Sequence, residues 1–129
     1  MGRESPAAEP DVAKATILVV EDDVLIRLAL TDELRRQGYL VIEAANADDA
    51  VAVLQSGTNV NLLFSDVRMP GTMDGIALAR LVCAEFPMVH VVLTSGYLVS
   101  EDVPDCVRLT FGKPYDFPEL IRQIGALLS

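Results

Sequence analysis

Apolar and polar positions occur in blocks along the chain, and the blocks follow a repeating order. Five short apolar runs are typical of strands buried on both faces, and they cover residues 16–20, 39–43, 61–66, 89–94 and 107–112. Segments with apolar residues three and four apart follow the first, second, third and fifth runs and predict amphipathic helices. The repeat predicts an α/β fold of three layers, with a parallel sheet between two layers of helices.

Local signals predict where some of these helices begin and end. Asn46 and Asp116 stand at positions typical of helix N-caps. Gly38 and Gly57 follow helical patterns and predict their ends. Between residues 95 and 105 the helical pattern is weak and short, so this connection is the least readable part of the chain.

The composition predicts one domain preceded by a tail. Residues 1–15 are rich in Ala, Pro and charge without periodicity and predict a flexible tail, so the domain covers residues 16–129. A net charge of −9 disfavours nucleic acid and anionic membrane surfaces as partners. We expect a cytoplasmic protein, because the chain shows neither an apolar signal segment nor a run approaching the roughly 20 residues that span a bilayer.

The two cysteines show no motif of a redox or zinc site. Cys83 and Cys106 lie far apart in the sequence and outside any CxxC spacing. We therefore expect both to be reduced residues of the core.

Polar residues follow several of the predicted strands at their carboxyl ends. Glu21 and Asp22 come after the first strand, Asp66 ends the third, Thr94 ends the fourth and Lys113 follows the fifth. Ligands of open α/β sheets bind outside this edge, where parallel strands all end. We expect the five side chains to lie close together.

The chemistry of this group favours a divalent cation and phosphoryl transfer. Two carboxylates about 4 Å apart repel each other by roughly 4 kcal/mol at an effective dielectric constant of 20, so the cluster needs a cation or a proton. Oxygen ligands of this kind suit Mg²⁺. A carboxylate beside such an ion can attack phosphorus as a nucleophile, and Asp66 is positioned for that role.

Four groups of residues carry a family resemblance. In chain order they are Ile17-Leu-Val-Val-Glu-Asp-Asp23, Asp66-Val-Arg-Met-Pro70 with Met73-Asp-Gly75, Leu93-Thr-Ser95, and Lys113-Pro-Tyr115. With these motifs at these strand ends, the chain from about Thr16 to Ser129 resembles the receiver domain of bacterial two-component response regulators. The resemblance implies the flavodoxin-like strand order 2-1-3-4-5 for the sheet.

The resemblance also implies a phosphoacceptor and a metal site. Asp66 would accept a phosphoryl group from a histidine kinase or a histidine phosphotransfer protein. Asp22, Asp66 and the backbone carbonyl of Arg68 would bind Mg²⁺ or Mn²⁺ directly, and Glu21 would bind it through water. The chain would catalyse its own phosphorylation and dephosphorylation as a signalling switch, and it would not be an enzyme in the usual sense.

Further residues would hold the phosphoryl group. Lys113 and Thr94 would bind its oxygens, the backbone amide of Ser95 would add a contact, and Pro114 is a candidate for a cis peptide bond.

Two features depart from the family pattern. Gly71 and Thr72 place two residues between Met-Pro and Met-Asp-Gly, where the family usually has one, and they lengthen the loop that borders the site. Thr110 stands where the family usually has a switch aromatic, three residues before the lysine. This departure removes the aromatic partner of the usual coupling with the threonine, and Tyr97 and Phe111 are the candidates to substitute for it.

The sequence leaves several functions open. The leading hypothesis is a stand-alone receiver whose output is a protein contact or a phosphoryl relay, with the excised receiver of a larger regulator or hybrid kinase as an alternative. A scaffold that works without phosphorylation is favoured by Thr110 and disfavoured by the intact acids, Asp66 and Lys113. A flavodoxin-like electron carrier is disfavoured, because acids stand after the first strand where a phosphate-binding loop is needed.

Overall fold

The computed structural model describes residues 15–96 and 103–129. Within these ranges the elements are, in chain order, β1 (Thr16–Val20), α1 (Val24–Arg36), β2 (Leu40–Ala44), α2 (Ala47–Gln55), β3 (Leu62–Asp66), α3 (Gly75–Glu85), β4 (His90–Ser95), β5 (Val107–Gly112) and α4 (Phe117–Leu128). The predicted bounds of every strand agree with the structure to within one residue at each end. Among the described helices, none has both the length and the apolar character that crossing a membrane requires.

The five strands form one parallel sheet in the order β2-β1-β3-β4-β5. This order confirms the predicted topology. The inner strands β1, β3 and β4 are buried along almost their whole length. The expectation that every strand is buried on both faces is wrong for β2 and β5, which lie at the two edges and are only partly covered.

Helices pack on both faces of the sheet, as the alternation of strands and helices predicts. Along β1, Leu18 and Val20 pack in the core beneath α2 and α3, whereas Ile17 and Val19 pack in the core beneath α1 and α4. Phe64 of β3 is buried in this second core. Full burial of a side chain of this kind stabilises the fold by about 1.5 to 3 kcal/mol.

Each helix begins at a polar side chain that caps its backbone. Asp23, Asn46, Asp74 and Asp116 each accept a hydrogen bond from the backbone amide three residues later, at distances of 2.8 to 3.2 Å. Asn46 and Asp116 confirm the predicted caps. The cap at Asp23 matters for function, because it fixes the loop that joins β1 to α1.

Two predictions fall wholly or partly on residues outside the described ranges. The flexible tail covers residues 1–14 outside them and Ala15 inside, whose carbonyl accepts a hydrogen bond from the amide of Leu40 at 3.2 Å. The weak helical pattern between β4 and β5 includes residues 97–102, which also lie outside, and the described residues beside them are not helical.

The cysteines correct a prediction. Cys83 of α3 and Cys106, which directly precedes β5, form a disulfide with their Cα atoms 6.3 Å apart. Cys83 is half-buried and Cys106 is exposed, so neither is a reduced residue of the core. The pairing is invisible in the spacing of the sequence, because only the packing of α3 against the sheet brings it beside the start of β5.

Candidate functional site

The predicted site residues meet at the carboxyl edge of the sheet. Glu21 and Asp22 follow β1, Asp66 ends β3, Thr94 lies near the end of β4, and Lys113 follows β5. Since all strands are parallel, their carboxyl ends lie at the same edge, and residues as far apart as 92 positions come into contact there.

Lys113 connects two of the carboxylates. Its Nζ atom donates to Oε1 of Glu21 at 2.9 Å and to Oδ2 of Asp66 at 2.8 Å. The Glu21 and Asp66 side chains are 3% and 9% exposed, and that of Lys113 is 20% exposed. The ammonium therefore sits between two nearly buried acids, where screening by water is weak.

Three acids form a cluster with the geometry of a cation site. Glu21, Asp22 and Asp66 each offer a carboxylate oxygen, and these oxygens all lie within 4.8 Å of one another. Glu21 and Asp66 are buried and Asp22 is exposed, so the cluster opens to solvent on the side of Asp22. At an effective dielectric constant of 20, each pair of charges at this spacing repels by about 3 kcal/mol or more. One lysine does not neutralise three carboxylates, so the donor set fits a divalent cation with oxygen ligands.

The pKa values of two groups reflect this crowding. Burial raises the pKa of the Glu21 carboxyl above its usual range, although hydrogen bonds from Lys113 and the Asp23 amide oppose the shift. Burial lowers the pKa of Lys113, but its hydrogen bonds to Asp66 and Glu21 outweigh that effect and raise the pKa above its usual value. Lys113 therefore remains a cation at neutral pH.

Backbone contacts hold Asp66 in place. The amide of Val67 donates to the carbonyl of Thr94 at 2.8 Å and ties the end of β3 to β4. The amide of Arg68 donates to Oδ1 of Asp66 at 3.3 Å. Arg68 therefore lies at the site, and the role of its carbonyl as a metal ligand stays a prediction.

The loop after β1 is held by residues that the sequence did not identify. The backbone amide of Asp23 donates to Oε2 of Glu21 at 3.1 Å. Nη1 of Arg27 donates to the carbonyl of Glu21 at 2.7 Å, and its Nε pairs with Glu43 at 3.1 Å. In the sequence Arg27 is one more charged residue of a helix, because its partner on β2 is adjacent only in the folded sheet.

Gly75 has a steric role directly behind Asp66. A Cβ atom at this position would lie 2.0 Å from the carbonyl oxygen of Asp66 and 2.8 Å from its carbonyl carbon. The amide of Gly75 donates to the carbonyl of Val67 at 2.8 Å. Only glycine lets the first residue of α3 pack so closely on the backbone that carries Asp66.

Thr94 has an unexpected partner. Its side chain is buried, and its Oγ1 lies 3.0 Å from the hydroxyl of Tyr115, where either atom could be the donor. Tyr115 appeared in the sequence only as the last residue of a Lys-Pro-Tyr motif. The two residues lie 21 positions apart in the sequence, so no local pattern indicates the contact.

The remaining predicted site residues are Ser95, Pro114, Phe111 and Tyr97. Ser95 is buried and its carbonyl accepts a hydrogen bond from the amide of Lys113 at 3.1 Å, so the contribution of its own amide stays a prediction. The peptide bond between Lys113 and Pro114 is cis, as predicted. Phe111 stacks on Phe64 with the ring centroids 6.2 Å apart. Tyr97 lies outside the described residues.

The chain is similar to one protein family and to several known proteins of that family. The profile of the response regulator receiver domain matches residues 17–124. The chain is 34% identical to the C4-dicarboxylate transport transcriptional regulatory protein DctD of Rhizobium meliloti over 105 residues, which are 81% of this chain and 22% of that protein. It is 27% identical to the sporulation initiation phosphotransferase F of Bacillus subtilis over 108 residues, which are 81% of this chain and 86% of that protein.

Solved structures show the same fold. The response regulator protein TrrA from Thermotoga maritima, in complex with Mg²⁺-BeF, superposes with a TM-score of 0.78 at 29% identity, over 88% of this chain and 99% of that chain. A CheY-like receiver domain protein from Methanospirillum hungatei superposes with a TM-score of 0.83 at 25% identity, over 90% and 94% of the two chains. Some of the curated relatives are much longer, and the chain spans only 22% of DctD and 13% of the sensor kinase CckA from Brucella abortus.

Proposed function

The chain belongs to the response regulator receiver domain family, and we propose that it accepts a phosphoryl group on Asp66 in a reaction that needs Mg²⁺ or Mn²⁺. The observation that carries this proposal is the position of the Asp66 carboxylate. It contacts the Lys113 ammonium at 2.8 Å and lies within 4.8 Å of the carboxylates of Glu21 and Asp22. A nearly buried carboxylate beside one cation and two further acids is well suited to covalent phosphoryl transfer.

In the proposed reaction, an oxygen of Asp66 attacks the phosphorus of a phosphohistidine on the donor protein. The O–P bond forms while the P–N bond breaks, and the electron pair of the broken bond stays on the imidazole nitrogen. Lys113, the Thr94 hydroxyl and the Ser95 amide donate hydrogen bonds to the phosphoryl oxygens and stabilise their charge in the transition state. Attack by water on the phosphorus later releases phosphate and restores the carboxylate.

The acidic residues of the site fit the divalent cation that the family implies. Asp22, Asp66 and the carbonyl of Arg68 would hold it directly, and Glu21 would hold it through water. Such an ion, when bound, offsets the negative charge that the carboxylates and the phosphoryl group bring together. The exposed side of the cluster, at Asp22, leaves the site open to ions and donors from solvent.

The proposal extends to partners and location. The phosphoryl donor is a histidine kinase or a histidine phosphotransfer protein, and the output is a protein contact or a phosphoryl relay. A net charge of −9 favours protein partners over nucleic acid and anionic membranes. We propose a cytoplasmic location, and a role as a switch that catalyses its own phosphorylation and dephosphorylation.

The test is the mass of the intact protein after incubation with a small phosphoryl donor. Acetyl phosphate and phosphoramidate, which carries a P–N bond as phosphohistidine does, are each used with Mg²⁺ and with a chelator. We expect one phosphoryl adduct that depends on the metal. Asp66→Asn should abolish the adduct, and Asp48→Asn, a matched change at an exposed position on α2, should leave it intact.

Two results would contradict the proposal. An adduct that persists in Asp66→Asn would assign the phosphoryl group to another residue. Absence of an adduct in the wild type with both donors, followed by failure with purified histidine kinases, would favour a scaffold that works without phosphorylation.

A further inference from the structure

The position of the usual switch aromatic is occupied here by a residue that faces solvent. Thr110 is exposed on β5, one of the two edge strands of the sheet. Phe111, the next residue, stacks on Phe64 within the core beneath α1 and α4. The buried hydroxyl of Thr94 is instead 3.0 Å from the hydroxyl of Tyr115.

Tyr115 is well placed to hold a hydroxyl group steady. Its ring packs edge-on against Phe64 with the centroids 5.8 Å apart and lies 6.1 Å from the ring of Phe117. Burial raises the pKa of Tyr115 to about 12, despite its hydrogen bond with Thr94 and the nearby charge of Lys113. The phenol therefore keeps its proton and is available as a donor throughout the physiological range.

We propose that Tyr115 is the positioning residue for Thr94, and that its hydroxyl directs the Thr94 proton toward the phosphoryl group. This inference rests on the proposed function. Thr94 has one hydroxyl proton, and a phosphoryl oxygen is a stronger acceptor than a phenol. When Thr94 donates to the phosphoryl group, Tyr115 donates to Thr94, and the two hydrogen bonds form a chain whose members strengthen each other.

The chain of hydrogen bonds leads to a surface cleft. Tyr115 lines a cleft of about 240 Å³ between α1 and the start of α4, together with Ile26, Ala29, Lys113, Pro114 and Phe117. A phosphoryl group that fixes the Tyr115 hydroxyl also fixes a ring in the wall of this cleft. Phosphorylation and the shape of the cleft are then coupled through Thr94 and Tyr115 instead of through position 110.

The experiment measures the affinity of the protein for beryllofluoride, an analogue of the phosphoryl group, in the presence of Mg²⁺. Tyr115→Phe removes one hydroxyl and keeps the ring, and we expect it to weaken binding by about fivefold, the effect of one hydrogen bond. In a Thr94→Val background the same change should have no effect, because the bond is already lost. In a Thr94→Ser background, which keeps the hydroxyl, the fivefold effect should return. Tyr39→Phe, the same change at a buried tyrosine that does not contact Thr94, is the control and should bind as the wild type does.

A second readout follows Tyr115 itself. The chain has three tyrosines, so fluorotyrosine-labelled protein gives three fluorine resonances, and the Tyr115→Phe variant identifies one of them. We expect beryllofluoride to shift the Tyr115 resonance in the wild type, and the shift to be much smaller in Thr94→Val.

The outcomes separate this inference from the proposed function. If the wild type binds beryllofluoride and Tyr115→Phe binds it equally well, the inference is overturned and the proposed function stands. If Tyr115→Phe weakens binding equally with and without the Thr94 hydroxyl, the ring acts by packing and the inference is also overturned. If the wild type neither binds beryllofluoride nor accepts a phosphoryl group, both are overturned.

Discussion

Gly75 offers the sharpest test of how the fold positions the site. In the Gly75→Ala variant the new Cβ atom would lie 2.0 Å from the carbonyl oxygen of Asp66. Cβ atoms keep at least about 3 Å from such neighbours, so the start of α3 or the end of β3 must move by about 1 Å. The obstacle is backbone rather than the end of a flexible side chain, so no change of rotamer relieves it.

The expected cost follows from the contacts. Overpacking of this kind destabilises a protein by about 1 to 3 kcal/mol. Loss of the hydrogen bond from the Gly75 amide to the Val67 carbonyl adds about 1 kcal/mol. The greater helix propensity of alanine offsets less than about 1 kcal/mol. We expect the free energy of unfolding to fall by about 2 to 3 kcal/mol, and phosphorylation to slow about 100-fold, because a displacement of about 1 Å at a reacting group has an effect of that size.

The assay is urea unfolding followed by far-ultraviolet circular dichroism, since the chain has no tryptophan. Phosphorylation by acetyl phosphate is measured on the same samples. Gly125→Ala is the matched control, because Gly125 also lies in a helix but its Cβ would meet only the Tyr39 hydroxyl, at an ordinary 3.7 Å. We expect Gly125→Ala to stabilise the protein by about 0.5 to 1 kcal/mol and to leave phosphorylation unchanged.

A Gly75→Ala protein that is as stable as the wild type and is phosphorylated at the same rate would refute the reasoning. It would mean that α3 does not press on the backbone of Asp66. A loss of stability with normal phosphorylation would show that the strain is absorbed by α3 and does not reach the carboxylate.

Removal of the disulfide by Cys106→Ser or by reduction should lower the free energy of unfolding by about 3 kcal/mol, because the bond closes a loop between residues 23 positions apart. Urea unfolding with and without dithiothreitol measures this change, and an unchanged unfolding midpoint would contradict the prediction. The pKa of Tyr115 is raised from 10.0 to about 12, so the folded state keeps a proton that the unfolded chain releases, and stability is lost as the pH rises through this window. In an ultraviolet titration, Tyr115→Phe should lose the absorbance change of a phenol that titrates at about pH 12. Loss of a phenol that titrates at the ordinary value of 10.0 would argue against the shift. Asp22→Asn should weaken Mg²⁺ binding and phosphorylation together, because it removes one of three clustered carboxylates; calorimetric titration with Mg²⁺ tests this, and unchanged affinity would locate the ion elsewhere.

Most of the fold could be predicted because its signals are local. The apolar run of β1 and the cap at Asn46 depend on neighbours a few residues away, so backbone geometry alone relates them to strands and helices. The exposure of residues on the edge strands of the sheet could not be predicted in this way. The pattern of β5 gives no sign that Thr110 is exposed, since exposure depends on which strand has a neighbour on one side only.

The site was predictable in its composition and less so in its contacts. The sequence predicted that Asp66, Glu21 and Lys113 lie close together, because parallel strands all end at one edge of the sheet. The direct contacts of Lys113 with both acids are consistent with that prediction. The contact of Tyr115 with Thr94 was not predicted. Tyr115 follows β5, and nothing in the sequence indicates the direction of a side chain in that segment.

The sequence by itself determined the order of the elements, the burial of the inner strands and the identity of the acids at the edge of the sheet. These features follow from hydrophobic periodicity and from the single direction of parallel strands, which any chain with this pattern shares. Only the tertiary structure decided that Cys83 reaches Cys106, that Gly75 presses on Asp66 and that Thr94 pairs with Tyr115. Each of these contacts joins residues from different elements, and its distance depends on how helices and strands pack in three dimensions, which no local pattern records.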